Sequence, residues 1–247
     1  MKEKLYTIPL NDAFNENDEC PFCYIERKLE QDAIDYTLGP GASYMEADIR
    51  EKTDHTGFCR HHLKKMFEYG NSLGNALIMK TRFKYMNAAL CKEMDSYKPA
   101  SSGMFSKSDE SNVEKFLKKE EEQCFICDYY KDTYNRYMDT FFYLYKNDSA
   151  FAGKITASKG FCLHHMREVL SAVPKQLSKK EAEEFTQILF KVMKENMARV
   201  EEDISWFVDK FDYRYKDADW KNSKDAIPRT MQKLKGGYPA DGPYKAE

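Results

Sequence analysis

The sequence predicts an all-α protein built from two pseudo-equivalent helical repeats. Three observations carry this expectation: Gly and Pro are scarce, apolar residues recur at helical spacing through most of the chain, and one cysteine–histidine pattern occurs twice. Of 247 residues only 11 are Gly and 8 are Pro, which favours long helices over a turn-rich β architecture. Hydrophobic residues make up 42% and aromatics 14%, enough for a packed core and too many for a wholly disordered chain.

The repeat shows first in its rarest residues. Cys20-Pro21-Phe22-Cys23 precedes Gly57-Phe58-Cys59-Arg60-His61-His62, and 35 residues separate Cys23 from Cys59. Cys124-Phe125-Ile126-Cys127 precedes Gly160-Phe161-Cys162-Leu163-His164-His165, and 34 residues separate Cys127 from Cys162. Six of the seven cysteines and four of the five histidines fall in these four stretches. Matched order among residues this rare marks an internal duplication.

The first repeat, residues 1–97, starts with a polar segment that lacks the apolar run of a secretory signal. After Cys23, Ile25, Leu29, Ala33 and Tyr36 recur at helical spacing until Gly39-Pro40-Gly41 breaks the pattern. A short segment over 44–50 follows. The Gly-Phe-Cys element then opens a helix with Leu63, Met66 and Phe67 on its apolar face. A last helix over 73–94 carries Leu77, Ile78, Phe83, Met86, Ala89 and Leu90. Cys91 falls within that apolar pattern and reads as a small core residue, and His55 reads as a surface loop residue.

Residues 98–112 form a polar linker, opened by Lys98-Pro99-Ala100-Ser101-Ser102-Gly103. The second repeat, 113–215, follows the same plan. Tyr130, Tyr134, Tyr137, Met138, Phe141 and Leu144 make a more aromatic stripe, read as core. A short segment over 150–155 precedes the second Gly-Phe-Cys helix, with Met166, Val169 and Leu170. A long helix over 179–213 carries Phe185, Ile188, Leu189, Val192, Met193, Met197, Val200, Ile204 and Phe207. Residues 216–247 are polar, with Pro228, Gly236, Gly237, Pro239 and Pro243, and are expected as a docked or partly mobile tail.

The duplicated residues have the chemistry of a metal site. Zn²⁺ takes four ligands in a tetrahedron, and three cysteines with one histidine are an established structural set. A Cys-x-x-Cys at a helix start can aim both sulfurs at one centre, and helix N-termini favour thiolates. Residues three apart on a helix differ by about 60° in direction and about 4.5 Å in height, so Cys59 with His62, and Cys162 with His165, can chelate from one face. His61 and His164 lie about 200° around from their cysteines and point away. The expected ligands are therefore Cys20, Cys23, Cys59 and His62 in the first repeat, and Cys124, Cys127, Cys162 and His165 in the second, each set holding one zinc ion. An iron–sulfur cluster is the less favoured alternative, since four thiolates are its usual set. Neither Cys-x-x-Cys is followed by His, which excludes covalent haem, and a thioredoxin-like reading needs a βαβ setting that these flanks lack.

These motifs resemble those of a family of uncharacterised bacterial proteins: a Cys-x-x-Cys opening a helix, then, some 35 residues on, a Gly-(Phe/Leu)-Cys-x-x-His element, sometimes twice. Trp220, Ala226, Arg229, Leu234 and Gly236 are similar to the terminal stretch that some members carry. The resemblance implies a helical zinc-binding protein and supplies no substrate.

Further bounds come from charge and missing motifs. Lys and Arg total 39 and Asp and Glu 41, a balance that gives no global case for nucleic acid or an anionic membrane. The segment 214–235 is the only nucleic-acid candidate, with seven Lys or Arg against three Asp and with Tyr215 and Trp220 among them. No apolar run approaches the roughly 18 residues that span a bilayer. Seven cysteines without a secretory signal fit a cytoplasmic, metal-binding chain better than a disulfide-bonded one. There is no Walker loop, G-x-G-x-x-G, G-x-S-x-G or H-E-x-x-H. The expected role is an interaction or regulatory scaffold with an unknown protein partner. The alternatives are a thiol redox sensor that releases zinc on oxidation, and an enzyme with a pocket between the repeats using His61 or His164 as base.

Overall fold

The computed structural model describes residues 4–16, 18–41, 43–98 and 110–239, and among these there are helices and turns but no strand. Eleven α-helices run in order: α1 (Lys4–Asn15), α2 (Pro21–Leu38), α3 (Ala47–Thr56), α4 (Arg60–Glu68), α5 (Ser72–Asp95), α6 (Asn112–Glu122), α7 (Phe125–Asn147), α8 (Ser149–Ala157), α9 (Leu163–Gln176), α10 (Lys179–Asp209) and α11 (Ala226–Lys235). The all-α class is as the sequence predicts. An order of long helix, short helix, Cys-x-x-His helix and long helix appears in α2–α5 and again in α7–α10.

The helix ends have local causes. Pro21 opens α2, where its fixed φ suits the first turn and its missing N–H costs nothing. Ser111 with Glu114, and Ser178 with Glu181, form capping boxes at α6 and α10, each satisfying two donors of the first turn. Asp148 accepts from the N–H groups of Ala150 and Phe151 at the start of α8. Gly57 ends α3 at φ 67°, its N–H donating to Thr53 O, a left-handed conformation that glycine adopts without a Cβ penalty.

Among the described residues, two compact units form, and they are not the two expected repeats. One contains the chain up to Leu29 and from Asp132 onward; the other is Glu30–Lys131. The divisions fall not at 97 and 113 but inside α2, after Leu29, and inside α7, after Lys131.

The first unit centres on aromatic rings. Phe14, Phe22, Phe141, Phe142, Phe151, Phe161 and Phe185 are all buried, with Phe14–Phe151 and Phe141–Phe142 centroids both 5.0 Å apart in edge-to-face contact. The stripe read as core on α7 is largely that: Tyr137, Met138, Phe141 and Leu144 are buried. The second unit buries Ala33, Ile34, Leu38, Ile49, Met66, Ile78, Phe125 and Ile126 together.

Several local expectations need correction. Cys91 is exposed on α5, because the buried side of that helix is set by Gly74 and Ile78, and Cys91 faces away from it. Phe67 and Leu63 are exposed at 82% and 41%, and only Met66 of the expected α4 face is buried. His55 is exposed, but it lies in the last turn of α3 rather than in a loop. Of the linker expected over 98–112, residues 99–109 lie outside the described residues, and Asn112 already begins α6. Of the tail, 240–247 lie outside the described residues, while α11 packs on α9 and α10. No described helix is long and apolar enough to cross a membrane.

Candidate metal centres

Each of the four motifs stands at a helix start. Cys20 and Cys124 immediately precede α2 and α7, and their carbonyls accept from Tyr24 and Asp128 N–H in the first turn. Cys59 and Cys162 are the N-cap residues of α4 and α9 in extended conformation. The second member of each pair then lies in the first turn, beside the free N–H groups and the positive end of the helix dipole. His165 N–H donates to Cys162 Sγ at 3.4 Å, so one thiol caps the helix that carries its histidine.

These helix starts assemble into two clusters, one in each unit. In the first unit, His165 Nδ1 lies 3.3 Å from Cys20 Sγ, 3.4 Å from Cys23 Sγ and 3.2 Å from Cys162 Sγ. Cys23 and Cys162 Sγ are 3.7 Å apart. In the second unit, His62 Nδ1 lies 3.2 Å from Cys59 Sγ, 3.2 Å from Cys124 Sγ and 3.4 Å from Cys127 Sγ. Within each set all four donor atoms are within 4.8 Å of one another, and each set could hold a metal ion. Ideal tetrahedral zinc with ordinary bond lengths would separate two sulfurs by about 3.8 Å and a sulfur from a nitrogen by about 3.6 Å. The six sulfur–nitrogen distances and the Cys23–Cys162 sulfur pair lie within a few tenths of an ångström of that shell.

The pairing differs from the sequence expectation. Cys20 and Cys23 meet Cys162 and His165, and Cys59 and His62 meet Cys124 and Cys127. The expected sets confined to one repeat, Cys20/Cys23 with Cys59/His62 and Cys124/Cys127 with Cys162/His165, do not form. Helix α2 begins in the first unit and ends in the second, and Cys59 follows it there. The start of α7 lies beside it in that unit: Phe125 N–H donates to Gly57 O at 2.8 Å. Pro21, at the matching place in the other Cys-x-x-Cys, has no N–H to make that bond.

A carboxylate stands near the far nitrogen of each of the two buried histidines. Glu30, a buried carboxylate of α2, has Oε1 2.9 Å from His62 Nε2 and 2.8 Å from His61 Nε2, and its other oxygen pairs with Lys65. Glu26 Oε2 stands 3.5 Å from His165 Nε2. A carboxylate behind a ligating imidazole holds the proton on the far nitrogen and raises the basicity of the near one. His61 and His164 do point away from the sulfurs: both are largely exposed, and His164 Nε2 is 3.2 Å from Glu168 Oε1.

The electrostatics concentrate donor charge in each cluster. Burial alone would pull His62 down, but its bonds to Cys124 and Glu30 carry its pKa up to about 10. Cys124 is drawn down to about 3, first by its bond with Cys127 and, against burial, by His62 as well. Cys127, facing that thiolate, is pushed far up. In the other cluster, bonds to Cys162 and Cys23 overcome burial and raise His165 to about 10. Cys162 is held far down by its bonds with Cys20 and Cys23.

The first cluster has a cover that sequence reading missed. Gly236 caps α11 at φ 81°, and a Cβ there would stand 3.4 Å from Cys162 Sγ and 3.6 Å from Cys23 Sγ. Backbone thus lies directly over two of the sulfurs. Arg229, Gln232 and Lys233 of α11 are buried. Gln232 Nε2 donates to Asp18 Oδ1 at 2.6 Å and Lys233 Nζ to Glu19 O at 2.7 Å, the two residues before Cys20. The Glu19 carboxylate, itself 2% exposed, is surrounded by Arg199 at 2.5 Å, Lys233 at 3.3 Å, Arg229 at 3.6 Å and Lys159 at 3.7 Å. Two of the seven basic residues of 214–235, Arg229 and Lys233, are therefore engaged inside the protein.

Two cavities lie in the second unit. One is lined by Tyr36, Ile49, Lys52, Phe125 and Tyr129, the other by Phe58, Leu63, Met79, Phe83 and Met86. Neither is lined by His61 or His164.

A family model described as a family of unknown function, DUF6062, matches residues 1–241. No curated protein and no solved structure matches the chain significantly.

Proposed function

The chain belongs to the DUF6062 family of unknown function, and we propose that it is a zinc-binding helical protein whose two Cys₃His clusters are structural centres, one per compact unit. The observation that carries this reading is the donor set: three sulfurs and one imidazole nitrogen, within 4.8 Å of one another, twice. Thiolate and imidazole donors in a four-membered set suit zinc, whereas iron–sulfur clusters ordinarily take four thiolates. A fully protein-supplied tetrahedron leaves no open position for water or substrate, so the metals build structure rather than carry a reaction.

Each ion would tie two helix starts that lie far apart in sequence, and its binding energy would be folding energy. The reading extends to an interaction or regulatory scaffold in the cytoplasm. The closed donor sets favour it over an enzyme.

The test is native mass spectrometry with elemental analysis on full-length protein purified without added metal. Two zinc ions per chain, with helix lost by circular dichroism on strong chelation, is the expected result. Iron with visible absorbance, or protein that folds fully without metal, would overturn it.

A further inference from the structure

We propose that the two centres differ in kind: the Cys59–His62–Cys124–Cys127 centre is the exchangeable, thiol-reactive site of the protein, and the Cys20–Cys23–Cys162–His165 centre is closed. The inference rests on reading both clusters as zinc centres. It assigns to the first-named centre a ligand class, namely soft electrophiles and competing metal-binding donors.

Burial separates the two. Cys20, Cys23 and Cys162 are each 0% exposed, and His165 is buried with them. In the other centre Cys124 and His62 are buried, but Cys59 and Cys127 are only half-buried. Two of its three cysteines therefore keep some exposure to solvent, where none of the other centre's cysteines does.

The closed centre is covered by a built structure. Gly236 places its backbone over the Cys162 and Cys23 sulfurs, and α11 is fastened along the turns that lead up to it. Arg229 is bonded at 2.8 Å to Asp203 and to Asp225. Gln232 and Lys233 bind the Asp18–Glu19 turn that leads into the first ligand, Cys20. A reagent reaches those sulfurs only after α11 releases several buried, charge-assisted bonds, an opening that occurs rarely.

Zinc-bound thiolates remain nucleophilic when exposed. With iodoacetamide, a Cys59 or Cys127 sulfur attacks the methylene carbon. An S–C bond forms, the C–I bond breaks, and iodide leaves with the electron pair. The resulting thioether is a poor zinc ligand, and the metal passes to a chelator in solution.

The experiment uses full-length zinc-loaded protein carrying Cys91→Ser, since Cys91 is exposed and outside both clusters, with wild type in parallel. Iodoacetamide is added with the chromogenic chelator pyridylazoresorcinol. Zinc count is followed by native mass spectrometry and labelled cysteines by peptide mapping. The expected result is a one-zinc species that accumulates, labelled on Cys59 and Cys127, with Cys20, Cys23 and Cys162 lagging by about tenfold or more. Simultaneous loss of both ions, earlier labelling of Cys162 or Cys23, or no loss from either centre would overturn the inference and leave the zinc reading standing. Protein that contains no zinc at the outset would overturn the zinc reading itself.

Discussion

Cys23 Sγ and Cys162 Sγ lie 3.7 Å apart although they are 139 positions apart in the chain. That distance is the one two thiolates adopt on a shared tetrahedral zinc. It makes the pairing of motifs testable by stoichiometry. In a Cys20→Ser/Cys162→Ser double variant both losses fall on one centre, so one zinc ion is retained. In Cys20→Ser/Cys59→Ser each centre loses a ligand, and neither ion survives mild chelation. Sets confined to one half of the chain would give the reverse pattern in native mass spectra.

A carboxylate contact distinguishes a positioning group from a ligand at His62. Glu30 Oε1 faces His62 Nε2 at 2.9 Å from a buried position, so it sets the tautomer that aims Nδ1 at the three sulfurs. Outer-shell partners of this sort change metal affinity by roughly 10–100-fold. Glu30→Gln should weaken the second unit's centre toward the low end of that range and Glu30→Ala toward the high end. Affinity at the other centre should stay unchanged in both. Chelator competition resolved by native mass spectrometry reads the two ions separately, and equal weakening of both would show that Glu30 acts through general stability.

The donors were legible in the sequence and their partners were not, for a physical reason. Cys-x-x-Cys and Cys-x-x-His are local features of a helix start, visible in a few residues. Which start meets which depends on tertiary packing: Phe125 N–H at the start of α7 bonds Gly57 O beside Cys59, and Cys59 meets Cys124 and Cys127 rather than Cys20 and Cys23. Helix α11 escaped notice because its buried side is made of Arg229, Gln232 and Lys233 with Ala226, which hydropathy periodicity reads as solvent-facing. Helix α1 contains Pro9, ordinarily a mark against a helix interior. The long apolar patterns of α2, α7 and α10 were readable because their periodicity is extended and their buried residues are apolar.

The Glu19 carboxylate provides a pH-dependent test of how α11 is held. Burial by itself would raise its pKa, but the Arg199 bond and the charges of Lys233, Arg199 and Lys159 hold it below the usual carboxylate value of 4.5. A depressed folded-state pKa contributes stability above the unfolded value and loses it as pH falls through the folded one. Glu19→Gln leaves the buried Lys233 without its counter-charge, while Arg229 keeps Asp203 and Asp225; stranding such a buried charge costs about 3–5 kcal/mol. The stability gap between wild type and Glu19→Gln should be full at neutral pH and narrow below about pH 4.5. Both proteins lose metal as their thiolates protonate, so the difference between their denaturation curves is the readout. A gap that persists unchanged into acid would remove Glu19's charge from the account.

Gly236 allows backbone strain and cluster coverage to be separated. At φ 81° any side chain is strained, at a cost of about 1–2 kcal/mol. A Cβ alone would sit 3.4 Å from Cys162 Sγ and 3.6 Å from Cys23 Sγ, ordinary contact distances. Gly236→Ala therefore introduces strain with little collision. Gly236→Val adds two methyl groups that the sulfurs leave no room for, and it should lift the end of α11 off the cluster. Labelling of Cys162 by iodoacetamide is expected to quicken modestly in Gly236→Ala and by about tenfold or more in Gly236→Val, because the opening free energy falls by the sum of strain and clash. Cys59 should label at the wild-type rate in both, since it belongs to the other unit. If Cys162 in Gly236→Val reacts no faster than in wild type, the backbone at Gly236 is not what keeps solvent from those sulfurs.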